Sequence, residues 1–106
     1  MKWLSRKEEF LLLAILKLRD NAYGVTIRRH LAEATGKYWS IGAIYDVLDR
    51  LVRKKLVTVR TGAPLAERGG KARKYYGVSR KGHEALKEVG TIHSQMWADF
   101  AEPATE

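Results

Sequence analysis

The chain has 106 residues, a formal net charge of +8, 45% hydrophobic and 30% charged residues, and no cysteine. That length supports one modest core, burying roughly two-thirds of the surface an unfolded chain exposes. Disulfides and thiolate metal centres are excluded, and the longest apolar run, residues 10–16, is too short to cross a bilayer. The acidic pair Glu8 and Glu9 interrupts the basic start, so no secretory leader is read and a cytoplasmic protein is expected.

Ser5 and Glu8 stand at capping-box spacing, where each satisfies a backbone donor at a helix start. Residues 10–18 are apolar nearly all round, which predicts a central first helix. Asp20 and Asn21 break it. A second helix is predicted over residues 23–35, with Val25, Ile27, Leu31 and Ala34 on its buried side and Arg28 and Arg29 outward. Gly36 is its natural stop.

After a short turn at residues 37–39, Ser40 reads as the N-cap of a third helix. Ile41, Ile44, Val47, Leu48, Leu51 and Val52 fall on one face of it. Gly42, Ala43, Asp46, Asp49, Arg50 and Arg53 fall on the other, with Tyr45 at the boundary. Such a helix is packed on one side and presented on the other.

Residues 56–61 and 74–78 read as two strands. Residues 62–73 between them, rich in glycine and basic side chains, make the tip of a hairpin; Arg68 with Gly69 and Gly70 belongs to that turn. Ser79 caps a fourth helix with Ala85, Leu86, Val89, Ile92, His93, Met96, Trp97 and Phe100 as apolar positions. Their spacings of three and four are those of a helix that packs along another helix.

Three helices, a strand, a basic tip, a strand and a helix form the order of a mainly α winged helix-turn-helix with a two-stranded β wing and a C-terminal dimerisation helix. The expected division is a winged helix domain at 1–79, the dimerisation helix at 80–101 and a flexible tail at 102–106. Eleven basic residues fall within positions 50–81, opposed only by Glu67, whereas the chain from Gly82 onward is acidic. A basic stretch concentrated on a small domain is the electrostatic footprint of a polyanion binder.

The chain resembles the PadR-like family of bacterial transcriptional regulators in three blocks. Tyr23-Gly24 with Ile27 and Leu31 is similar to the opening of that family's second helix. Ser40-Ile41-Gly42, followed by Tyr45, Leu48, Arg50 and Leu51, is similar to its recognition helix. Arg73-Lys74-Tyr75-Tyr76, then Val78, Ser79, Gly82 and Leu86, is similar to the returning wing strand and the start of the last helix. The chain departs from the pattern at Ile41, where proline is common, at Val52, where an acid is frequent, and at Lys55, where a glycine usually precedes the first strand.

The resemblance implies a homodimeric, sequence-specific duplex DNA-binding regulator, a repressor, that reads an inverted-repeat operator. The alternative is a winged helix that serves as a protein-interaction module without DNA binding. The candidate DNA-binding residues are Ser40, Gly42, Ala43, Tyr45, Asp46 and Arg50 on the third helix, with Lys71, Arg73 and Lys74 on the wing. Small side chains at Gly42 and Ala43 let a helix start approach bases and phosphates closely. Arg50 also lies four residues after Asp46, so an intrahelical ion pair is its competing role.

Trp3, Ile92, His93, Met96, Trp97 and Phe100 are candidates for a dimer interface or for a small apolar effector site, since some family members bind planar apolar effectors between subunits. No phosphate-binding glycine loop and no zinc spacing are present, so no enzyme, cofactor, metal or membrane partner is expected.

Overall fold

The computed structural model describes residues 3–64 and 72–100. In chain order it contains α1 (Arg6–Leu18), a single 3-10 turn (Arg19–Asn21), α2 (Gly24–Thr35), α3 (Ile41–Arg53), β1 (Val57–Pro64), β2 (Ala72–Val78) and α4 (Arg80–Trp97). The antiparallel β1–β2 pair is the wing, with Val57 opposite Val78 and Arg60 opposite Tyr75. Most of the expected hairpin tip, including Glu67, Arg68 and Lys71, and the tail from residue 101 lie outside the described residues.

The helix starts follow from local hydrogen bonds. The Glu8 amide donates to Ser5 Oγ at 3.1 Å, and the Ser5 amide donates to Glu8 Oε1 at 2.8 Å, which completes the expected capping box. Ser40 Oγ accepts from the Ala43 amide at 3.1 Å, and Ser79 Oγ accepts from the Gly82 amide at 3.0 Å. Gly36 ends α2 with φ of 71°, a left-handed conformation that only a residue without Cβ adopts at little cost.

α3 ends in a six-residue return loop. Lys55 N donates to Val52 O at 3.0 Å and Leu56 N to Leu51 O at 2.9 Å, with Lys55 at φ of 62°. This is the two-bond Schellman geometry, in which glycine normally holds the left-handed position. The structure thus gives a backbone reason for the glycine that the resemblance leads one to expect there.

The core is built where three helices meet: Leu11, Leu12 and Ile15 of α1, Ile27 and Leu31 of α2, and Ile44, Val47, Leu48 and Leu51 of α3. Each such side chain contributes about 1.5–3 kcal/mol through burial. Leu56, Val57 and Tyr76 extend this core into the root of the wing.

Several sequence expectations shift here. α1 is apolar nearly all round, yet Leu13 and Leu16 are exposed, because its neighbours α2, α3 and β2 cover only part of its circumference. Val25 and Ala34 of α2 are exposed rather than buried, and the buried stripe runs through Ile27 and Leu31 with Gly24 and Thr26. On α3, Ile41 and Val52 lie at the margins of the apolar arc and are exposed, leaving Ile44, Val47, Leu48 and Leu51 as the packed stripe. α4 ends at Trp97, and Phe100 follows in a turn.

α4 packs on the core through its first half only, where Val89 is buried and Ala85 and Leu86 are partly covered. Its start is tied to the end of α3: Ser79 Oγ donates to Lys55 O at 2.7 Å and Ser79 N to Leu56 O at 3.0 Å. Among the described residues, no helix is long and apolar enough to cross a membrane.

Candidate nucleic-acid interface

α3 buries one stripe and leaves the other free for a ligand. Gly42, Tyr45, Asp46, Asp49 and Arg53 are exposed, and Ala43 and Arg50 are half-buried. Six of the predicted contact residues, Ser40, Gly42, Ala43, Tyr45, Asp46 and Arg50, thus belong to a single helix and its cap. Ser40 Oγ is already engaged by the Ala43 amide, so its first role is to start the helix.

Tyr45 is 43% exposed and is seated by a glycine. A Cβ built on Gly24 would stand 2.5 Å from the Tyr45 hydroxyl oxygen, so the ring lies against the bare first turn of α2. Tyr23, Val25, Tyr45, Ala72, Arg73 and Lys74 together line a cleft of about 270 Å³ between the helices and the wing. The fold therefore joins Tyr45 to two of the three predicted wing residues, Arg73 and Lys74. The third, Lys71, lies outside the described residues.

Tyr76 joins the wing to the helical core. It is buried, and its amide donates to Ala22 O at 2.8 Å, anchoring β2 to the end of the 3-10 turn. Burial pushes its phenol above the ordinary value, and the nearby Tyr45 and Asp49 add to the effect.

A second cleft, of about 160 Å³, opens at the N-terminus of α3 and is lined by Lys7, Lys37, Tyr38, Trp39, Ser40 and Ala43. Lys7 Nζ lies 5.9 Å from the Trp39 ring centre, and the Arg28 guanidinium lies 4.9 Å from that of Tyr38. Sequence reasoning missed Lys7, Lys37 and Arg28. Lys37 stands three residues before the Ser40 cap and was within reach of a local argument. Lys7 arrives from α1 and was not.

Glu8 was also missed as more than a cap. Its side chain is 2% exposed, and Lys54 Nζ donates to Glu8 Oε2 at 2.6 Å, with Arg50 Nη1 at 4.0 Å. Burial works to raise the Glu8 pKa, but the Lys54 hydrogen bond, the Ser5 amide and the Lys54 charge together outweigh it and hold it below the ordinary value. Arg50 takes this carboxylate as its ion-pair neighbour in place of Asp46.

At the far end, Trp97 and Phe100 meet edge to face at 4.8 Å and 78°, and Met96, Trp97 and Phe100 are 78%, 54% and 75% exposed. His93 Nε2 lies 3.1 Å from Glu9 Oε1. His93 and Trp97 share a shallow groove with Arg6, Glu9 and Phe10, while Ile92 is half-buried. Trp3 lines a different cleft, with Leu4, Leu56 and Ala85, so the structure does not bring it to the Trp97 group within one chain.

No curated protein matches the chain. Solved structures do. A PadR-like transcription factor from Bacteroides fragilis is 26% identical, with a TM-score of 0.70 and 93% of each chain covered. A PadR-like transcriptional regulator from Bacillus cereus is 26% identical, with a TM-score of 0.69 and 92% of each chain covered. RosR of H. salinarum is 26% identical, with a TM-score of 0.64, covering 95% of this chain and 81% of that one. The model of the transcriptional regulator PadR-like family matches residues 12–88, from the core of α1 through the first half of α4. Members of that family are regulators rather than enzymes. By this match over most of its length, the chain belongs to the PadR-like family of transcriptional regulators.

Proposed function

We propose that the protein binds duplex DNA sequence-specifically as a homodimer and represses transcription in the cytoplasm. The observation that carries this reading is the cleft that Tyr45 of the presented helix lines together with Arg73 and Lys74 of the wing. The exposed face of α3 enters the major groove, where Gly42 and Ala43 let its N-terminal turn approach closely and Asp46 accepts from cytosine N4. Ser40, Tyr45 and Arg50 hold phosphates at the groove edge, and the wing residues Lys71, Arg73 and Lys74 add positive charge along the flanking backbone.

The winged helix unit ends at Ser79, and α4, Arg80–Trp97, is the dimerisation helix. The exposed Met96, Trp97 and Phe100 supply the apolar seam between two copies. A two-fold axis there sets two recognition helices about 34 Å apart, which matches an inverted-repeat operator. An apolar planar effector entering beside Trp97, Ile92 and His93 weakens operator binding by favouring a different helix spacing.

The test is binding to the duplex that flanks the protein's own gene, measured against salt, beside a random-sequence duplex. Steep salt dependence is expected on both, with tighter binding to the flanking duplex. Absence of binding to either at low salt overturns the DNA reading in favour of a protein-interaction module.

A further inference from the structure

The strand β2 has two faces, and the residues on them are divided in role. Side chains alternate along a strand, so Arg73 and Tyr75 share one face while Lys74 and Tyr76 share the other. The register sets Arg60 of β1 directly across from Tyr75. On that first face four side chains form a continuous ladder. The Arg60 guanidinium lies 4.4 Å from the Tyr75 ring centre, Tyr75 meets Tyr23 edge-on at 5.6 Å and 71°, and the Arg73 guanidinium lies 4.0 Å from the Tyr23 ring centre. Arg73 Nη1 also reaches the Tyr75 hydroxyl at 3.4 Å.

The ladder is fixed to the helical core at two of its members, Arg60 and Tyr23. Arg60 Nη2 donates to Asp20 O at 3.0 Å, in the 3-10 turn. Tyr23 is the N-cap of α2, and its amide donates to Thr26 Oγ1 at 3.0 Å. Gly62 makes the arrangement possible, since a Cβ there would stand 2.7 Å from the Tyr75 ring. The wing is thus clamped to the start of α2 by two cations and two rings, while Lys74 on the opposite face stays exposed beside Tyr45.

We propose that Arg73 and Tyr23 are positioning residues: their stack fixes the angle of the wing against α3 and so sets where Lys74 meets the DNA backbone. This deepens the DNA reading and rests on it, and it moves Arg73 from phosphate contact to support. The chemistry separates the two roles. A phosphate ligand works chiefly by charge, which lysine also supplies, whereas a guanidinium stacked on a phenol depends on its plane.

The experiment compares Arg73→Lys, Tyr23→Leu, Tyr23→Phe and Lys74→Ala in the full chain, with a random-sequence duplex titrated across a range of salt. Hydrogen exchange of the β2 amides is followed in the DNA-free proteins. Arg73→Lys and Tyr23→Leu are expected to bind about fivefold more weakly with an unchanged salt slope, the loss expected for one cation–aromatic contact at a partly exposed site. Both should also exchange their β2 amides faster. Tyr23→Phe, which keeps the ring, should restore both readouts. Lys74→Ala should lower the log–log slope by about one unit and leave exchange unchanged.

Wild-type affinity in both Arg73→Lys and Tyr23→Leu, with exchange unaltered, overturns the proposal and returns Arg73 to simple charge. If no protein, wild type included, binds the duplex, the DNA reading fails. The exchange comparison then still decides whether the ladder holds the wing.

Discussion

Glu8 is the residue whose removal should reach furthest, because one buried carboxylate serves two elements. Oε1 closes the α1 capping box and Oε2 receives Lys54, one residue past the end of α3. Replacing it with glutamine keeps the volume and one oxygen for the Ser5 amide but removes the charge from the Lys54 bond. A hydrogen bond to a charged group contributes about 1.5–3 kcal/mol. The Lys54 side chain is 40% exposed and rehydrates when released, so the lower part of that range applies. Glu8→Gln should then cost about 1–2 kcal/mol, or roughly 5–10 °C in melting temperature for a domain this size. Glu8→Ala also takes away the acceptor of the Ser5 amide, about 1 kcal/mol more.

The pH dependence gives the sign. The folded pKa of Glu8 lies below the ordinary value of 4.5, so its contribution is fully present above that pH and is lost as pH falls through the lower folded value. Denaturant melts of wild type and Glu8→Gln from neutral to acid pH test this, since every other carboxylate cancels between the two proteins. A constant gap above about pH 5 that closes on acidification is expected. Equal stability at neutral pH, or a gap that does not change with acid, would refute the reasoning.

Three further outcomes are expected. Lys55→Gly should stabilise the fold by about 0.5–1 kcal/mol in thermal melts, because relief of a left-handed non-glycine residue outweighs the extra freedom of glycine in the unfolded chain. A lower melting temperature would mean that the Lys55 side chain contributes more than its backbone strain costs. Gly24→Ala should drive the Tyr45 ring outward and weaken duplex binding about fivefold, the loss of one hydrogen bond, with thermal stability nearly unchanged. Unaltered affinity in a titration would remove Tyr45 from the contact set. Wild type should sediment as a dimer at micromolar concentration and Trp97→Ala with Phe100→Ala as a monomer; a wild-type monomer would rule out the α4 seam.

The order of elements and most of their starts were legible in the sequence because the physics that sets them is local. Ser5 with Glu8, Ser40, Gly36 and Ser79 each act on groups within about a turn, so their spacing alone carries the information. The presented face of α3 was legible for the same reason, since a helical period fixes which residues share a side. The margins were not. Ile41 and Val52 are as apolar as their neighbours, and only the reach of α1, α2 and β1 decides where burial stops.

What the tertiary structure decided involves residues far apart in the chain. Glu8 meets Lys54 across 46 positions and also stands 4.0 Å from Arg50, for which the sequence alone offers Asp46 as the competing ion-pair partner. Gly24 seats Tyr45, and the ladder gathers Asp20, Tyr23, Arg60, Arg73 and Tyr75 from a turn, a helix cap and two strands. Charge and side-chain type mark such residues as able to interact. Which of them do interact is set by the packing of α1, α2 and α3, because ion pairs and ring contacts decay within a few ångströms and only the folded core brings those groups so close.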